Sequence, residues 1–338
     1  MQLKLSASKS IFTSLTLIAP FFLWGTAMVA MKTVIPHTTP FFMAGLRLLP
    51  AGVLILIAAA FLGKPQPRGW LAWLWIILFA LVDGALFQGF LAQGLVRTSA
   101  GLGSVMIDSQ PLAVALLSLW LFEEHIGLWG WLGLVLGVLG ISLIGLPDEW
   151  ILHFFDGNVN ASIGYWQDLF ASGEWLMLLA AFSMAGGTVM IRFVCRYADP
   201  VTATGWHMIL GGLPLWGISW VAESQQWENL VTSEWMALGY ATVFGSAIAY
   251  GLFFYFASKG NLTSLSSLTF LTPVFALLFG NLFLSEVLSP LQWVGVGLTL
   301  ISIYLINQRH NLGKKNNQVS VEDKPRQESS VLEASVHK

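Results

Sequence analysis

Eight polar or ionisable residues fall inside stretches that are otherwise apolar: Arg47, Asp83, Gln88, Asp108, Gln110, His207, Tyr250 and Tyr255. Each type has a distinct chemistry. A guanidinium presents a fork of donors to a carboxylate. A carboxylate removed from water and without a cation favours its protonated form, which makes it a candidate for holding a proton or a substrate amine. An imidazole exchanges protons near neutrality, and the amide and phenol groups supply neutral hydrogen bonds. In a lipid-spanning segment such residues are costly and mark a pathway or a site by default. The alternative is purely structural: an Arg–Asp pair that locks two helices, or a lone histidine that is merely hydrogen-bonded.

The elements that position these residues follow from composition. Of 338 residues, 56% are hydrophobic and 10% charged, whereas a soluble protein has roughly 25% charged. Ten of the 34 charged side chains lie between Arg309 and Lys338, so the rest of the chain is poorer still. That excludes a water-soluble fold. A net charge of −2 without a basic stripe excludes nucleic-acid binding, and a single cysteine, Cys195, excludes a disulfide scaffold. No clustered Cys/His spacing suggests a metal, no cofactor motif is present, and Cys195 reads as packing.

Apolar stretches long enough to cross a bilayer run near 12–31, 40–62, 70–94, 99–122, 128–146, 174–192, 201–221, 235–257, 263–284 and 290–307. Turn chemistry separates them, as at Gly63-Lys64-Pro65-Gln66-Pro67, Asp199-Pro200 and Ser289-Pro290. The first stretch is too long for a signal h-region and lacks a small-residue cleavage site. An all-α integral membrane protein with ten transmembrane helices is expected. With the N-terminus cytoplasmic, ten Lys/Arg lie on the inside and only Lys32 and Arg97 outside. The positive-inside rule therefore puts both termini in the cytoplasm, and a bacterial inner membrane is the expected location. At ~1.5 Å per residue, Arg47, Asp108 and Asp83 then lie ~10, ~14 and ~16 Å from the outer ends of their helices. Arg47 is thus able to pair with Asp108 or with Asp83, leaving the other carboxylate free of a cation. Residues 1–11 read as a cytoplasmic start, 147–173 as an acidic, aromatic connector on the outside, and 308–338 as a disordered cytoplasmic tail.

Sliding the chain by 162 residues reveals a repeat. Ser104, Pro111, Glu124, Trp131 and Gly133 fall on Ser266, Pro273, Glu286, Trp293 and Gly295, and Gly25-Thr26 on Gly187-Thr188. Each half, 12–146 and 174–307, has five helices. An odd number means that the second half enters the membrane from the opposite side. Such inverted repeats are an architecture of secondary transporters, with the substrate held between the halves. Pro111 and Pro273 are expected to kink their helices. Glu124 and Glu286 read as helix-end caps or gates on opposite membrane faces. Gly133-x-x-x-Gly137 permits close helix contact, mostly internal but compatible with a homodimer.

The residues also carry a family likeness. Gly94 to Ala100 leading to Pro111 and Leu121-Phe122-Glu123-Glu124-His125-Ile126, and Tyr255 to Gly260 leading to Pro273 and Leu284-Ser285-Glu286-Val287-Leu288, resemble the EamA domain of the drug/metabolite transporter superfamily. Trp24-Gly25-Thr26 and Arg47 also sit where that domain tends to have a Trp-Gly-Ser/Thr and an arginine. The resemblance covers about 12–307 and implies the ten-helix fold and an exporter of amino acids, metabolites, nucleobases or drugs. The sequence departs from the pattern in a second glutamate, Glu123, in the longer connector, and in Ile209 where a second arginine would fall.

The expectation is a secondary transporter, an exporter of a small amphipathic solute by alternating access, with the lipid bilayer as its environment and a proton as candidate coupling ion. A membrane-embedded enzyme is the first alternative, but Gly-x-Ser-x-Gly, His-Glu-x-x-His and phosphate-loop motifs are absent. A channel or structural membrane protein is the second, and neither needs two opposed halves around buried acids.

Overall fold

The computed structural model describes residues 2–97, 106–146, 148, 151, 173–284 and 289–322, and no strand occurs among them. The helices are α1 Gln2–Lys32, α2 Pro40–Phe61, α3 Trp70–Arg97, α4 Met106–Phe122, α5 Gly127–Gly145, α6 Glu174–Val194, α7 Pro200–Ala222, α8 Thr232–Lys259, α9 Leu262–Leu282 and α10 Pro290–Glu322. Seven contain stretches long and apolar enough to cross a membrane, while Leu15–Met31 and Met106–Phe122 are shorter apolar helices. At 23 residues α7 is long enough, but Thr202, Thr204, His207 and Ser219 dilute its apolar run. Phe61, Trp120, Leu128 and Val221 face outward, an apolar exterior suited to lipid rather than water.

Helix starts follow the turn signals. Asp199 accepts from the Val201 N–H ahead of Pro200, Asn261 from the Ser264 N–H, and Ser289 and Gln292 bond reciprocally at the start of α10. The carboxylate of Glu223, just past α7, accepts from the N–H groups of Phe41 and Phe42 and from the Thr39 hydroxyl, so the end of one helix caps another.

Two antiparallel pairs organise the bundle, α2 with α7 and α5 with α10. Glycine lets the backbones approach. A Cβ on Gly52 would meet the Gly205 carbonyl at 2.6 Å, and one on Gly140 the Gly295 carbonyl at 2.9 Å. Ser302 donates to the Gly133 carbonyl at 2.5 Å, and Gly137 is covered by the Phe270 ring. The Gly133-x-x-x-Gly137 spacing is therefore used inside the chain. The remaining helices pack as α1 on α9 and α8, and α6 on α4 and α3.

Two departures from the expected helices bear on function. α3 and α8 each widen into a π-helical segment, Ala80–Phe87 and Ala241–Ile248, a wider turn that often sits at functional sites. The last helix also runs on to Glu322, into the polar stretch expected to be a disordered tail from 308, while 323–338 lie outside the described residues.

Candidate functional site

A cavity of about 90 Å³ lies among α1, α2, α3, α4, α6, α8 and α9. Its walls are mostly apolar: Phe87, Leu91 and Leu95 from α3, and Met28, Met31, Met177 and Met184 from α1 and α6. Thioether side chains re-pack readily, so this wall can adapt to different shapes. Set into it are Trp24, Arg47, Asp108, Gln110, Tyr250, Thr269 and Thr272.

These polar groups are only partly satisfied by the protein. Arg47 is buried and its guanidinium donates to Ser246 Oγ at 3.3 Å. Gln110 Nε2 donates to Thr188 Oγ1 at 3.1 Å, and Gln88 Nε2 donates to the Tyr250 hydroxyl at 2.7 Å. Left over are Trp24 Nε1, Arg47 Nε, Gln110 Oε1 and Thr272 Oγ1, each buried without a hydrogen-bond partner among the described residues. Buried polar atoms are nearly always paired, because leaving one bare costs ~1–3 kcal/mol. Four such atoms belong to the walls of one cavity. Together they offer two N–H donors, an amide oxygen that accepts and a hydroxyl that does either to something other than the protein.

Aromatic rings crowd one end of the cavity. Trp24 packs on Tyr250 and Phe253 with ring centroids 5.1 Å away in each case, and Phe21 meets Phe253 edge-on. Farther in that direction Glu124, just past α4, accepts from Asn261 Nδ2 at 2.8 Å and Thr263 Oγ1 at 3.0 Å, and from the N–H groups of Leu262 and Thr263. Arg192 pairs with Glu124 at 3.4 Å and also donates to the Gly260 carbonyl. One carboxylate thus ties the ends of α4, α6 and α9. Its repeat partner Glu286 lies outside the described residues.

The sequence candidates divide. Arg47, Asp108, Gln110 and Tyr250 line the cavity, with Gln88 directly behind Tyr250. Asp83 does not, and it does not pair with Arg47: its Oδ2 lies 3.0 Å from His207 Nε2 in a fully buried contact. The π-helical turn re-aims Asp83 toward α7, a rotation no straight-helix register predicts. His207 likewise leaves the cavity for this pair. Tyr255 stands near the end of α8, accepting from Lys259 Nζ at 2.9 Å. Pro111 sits in the first turn of a segment that restarts after a turn at Ser109, where its missing N–H costs little. Pro273 follows a 3-10 turn, Leu268–Phe270. Both prolines therefore mark breaks next to the cavity rather than bends within a helix. Cys195, beyond α6, is pushed up to about 12 by burial and by nearby Asp199, so its thiol stays protonated and unreactive.

Sequence reasoning missed Ser246, Thr188, Thr269 and Thr272. Small hydroxyl residues are common in apolar helices and carry no distinguishing pattern. Trp24 stood out only through the family likeness.

Comparison with known proteins places this geometry. Residues 11–146 and 171–308 each match the EamA-like transporter family. The chain is 65% identical, over 92% of its length and 94% of the relative's, to an uncharacterized transporter of Synechocystis sp.. It is 55% identical to a chloroplastic WAT1-related protein of Arabidopsis thaliana, over 90% of this chain and 71% of that one. With Protein PecM of Dickeya dadantii it shares 31% identity over 91% of this chain and 95% of that one. A crystal structure superposes with a TM-score of 0.68 at 18% identity, covering 87% of this chain and 96% of its own, a likeness of fold alone.

Proposed function

The chain belongs to the EamA-like transporter family, and from that premise we propose that this multi-pass membrane transporter is a secondary exporter of a small amphipathic metabolite. The observation that carries the reading is the cavity. Four unsatisfied polar atoms and the side chains of Arg47 and Asp108 meet a flexible wall of methionine, leucine and phenylalanine. A solute with an acceptor such as a carboxylate near Arg47 and Trp24, an amine toward Asp108 and an apolar body fits that division. A phosphorylated solute would want more cations than the one on these walls.

In this reading the two five-helix halves are inverted repeats crossing the membrane in ten spans, and they rock about the cavity to expose it to alternate sides. Support comes from the 162-residue offset, from π segments starting 161 residues apart, and from the Gln88–Tyr250 hydrogen bond, whose partners occupy equivalent positions in the two halves. With both termini cytoplasmic, the orientation that the Lys/Arg distribution supports, the Glu124 network closes the cytoplasmic end. The cavity then leads outward past Met31, Leu95 and Met177.

The test starts from metabolites that accumulate in cells lacking the protein and appear in the medium when it is overproduced. The solute found is then offered to proteoliposomes containing wild type, Arg47→Gln or Asp108→Asn. Loss of about tenfold or more in rate is expected, the equivalent of one lost charged contact. Wild-type rates in both variants would overturn the site. A tag after Lys338 detected outside the cell would overturn the orientation.

A further inference from the structure

Asp83 and His207 stand apart from the cavity and are the most completely buried ionisable pair among the described residues, at 1% and 0% exposure. Asp83 lies in the π segment of α3, in the first half of the chain, and His207 on α7 in the second. Two aromatic rings hold the histidine: it stacks on Phe79 at 4.1 Å and meets Phe254 edge-on at 5.4 Å. Its Nδ1 lies 2.9 Å from the Thr204 carbonyl. A carbonyl only accepts, so Nδ1 carries a hydrogen. Nε2 then faces Asp83 Oδ2 at 3.0 Å, and a hydrogen bond of that length needs one more proton between them. That proton makes either a neutral imidazole with a carboxylic acid or an imidazolium with a carboxylate. Both forms have zero net charge. Without it, a lone pair would face a carboxylate in a site sealed from water, where a bare charge is severely penalised.

We propose that Asp83 and His207 form a proton-binding site that must be loaded for α3 and α7 to close on each other. The proposal deepens the transporter reading: the site would give up its proton only when the halves part and water reaches it, which links proton release to the movement that exposes the solute. Few other charges face the pair. Tyr250 of α8 lies within electrostatic reach of both Asp83 and Arg47 of α2. From α6 the nearest approach is Gly187, where a Cβ would collide with the Asp83 carboxylate. Asp83 Oδ1 has no hydrogen-bond partner among the described residues, so no second donor there replaces the shared proton.

The sign of the pH dependence follows. Above a histidine's ordinary value of about 6.5 the unfolded chain holds one proton fewer than the closed pair. Between the ordinary carboxylate value of about 4 and that pH stability is therefore flat, and above it stability falls by about tenfold in the unfolding equilibrium per pH unit for one proton. Asp83→Asn inverts this. An asparagine N–H donates to Nε2 without a titratable proton, so stability becomes flat above about pH 6.5 and falls below it.

The experiment compares unfolding of the full-length chain in lipid nanodiscs, wild type against Asp83→Asn, from about pH 5 to about pH 9, a range bracketing free histidine. Crossing profiles are the expected result. Parallel profiles would overturn the proposal and leave a structural hydrogen bond. If Asp83→Asn does not fold, the double variant Asp83→Asn/His207→Gln, an amide pair with no titratable proton, should be flat across this range; retention of the alkaline loss there would refute the assignment. Crossing profiles in a protein that moves no solute would keep the proton site and discard the transporter reading.

Discussion

At two places a long helix crosses a π-helical segment of its neighbour: α7 on Ala80–Phe87 of α3, and α2 on Ala241–Ile248 of α8. The 162-residue offset maps one junction on the other, yet their chemistry differs. The first holds Asp83 and His207, with Gly245 and Gly45 at the equivalent positions of the second. The second holds Arg47 and Ser246, with Ile209 and Gly84 at the equivalent positions of the first. One junction is closed around a hydrogen-bonded pair. The other opens on the cavity and leaves Arg47 Nε without a partner among the described residues. In the proposed function a single backbone device is thus given opposite tasks: to hold something fixed between helices, and to present something to a solute.

The largest effect expected comes from the packing that makes the first junction possible. A Cβ on Gly84 would meet the Gly211 Cα at 2.8 Å and the His207 carbonyl at 3.0 Å, backbone atoms that have no room to move aside. Gly84→Leu should therefore reduce folded, monodisperse protein by about tenfold or more, as severe overpacking does. Gly217→Leu, on α7 where nothing approaches within 4 Å, should leave the yield unchanged. Size-exclusion profiles of detergent-extracted protein decide the matter. Equal losses in the two variants would deny that the junction is close-packed.

Next come two deletions of opposite sign. His207→Ala leaves Asp83 buried without its partner and opens a void beside Phe79, and it should cost about 3–5 kcal/mol of stability. Arg47→Met removes a cation that the protein only partly satisfies. Unfolding should be no easier, or harder by about 1 kcal/mol, because a buried and poorly paired charge is costly. Transport should nevertheless be lost. Thermal unfolding and solute uptake measured on the same preparations separate the two. If Arg47→Met destabilises as much as His207→Ala, both junctions are structural.

The sequence shows this contrast only in part. Apolar length reveals the helices and the offset reveals the halves, because both are written in residue type and spacing. Arg47, Asp108, Gln110 and Tyr250 are legible for the same reason, since polar groups in apolar runs stand out. The pairing of Asp83 was not legible. A π-helical turn changes which way each following residue points, and residues 80–87 contain nothing that announces it, neither proline nor a run of glycine. The unsatisfied hydroxyl of Thr272 was equally hidden, because one threonine in an apolar helix looks like another until its neighbours are known.

The smallest effect bears on the open junction. Ser246 Oγ accepts from Arg47 Nη2 at 3.3 Å, a long bond, and Arg47 Nε has no hydrogen-bond partner among the described residues. Ser246→Ala should change stability by less than about 1 kcal/mol, the net worth of an ordinary hydrogen bond. Its effect on function should be larger than that figure suggests. The serine orients a guanidinium whose remaining donors face the cavity, so its loss lets the fork swing and weakens solute binding while leaving the charge in place. The expected pattern is a raised KM with a nearly unchanged maximal rate, in contrast to the collapse of transport in Arg47→Met. If Ser246→Ala lowers the maximal rate as far as Arg47→Met does and leaves KM alone, Arg47 works through its tie to α8 rather than through the solute, and the two junctions are alike after all.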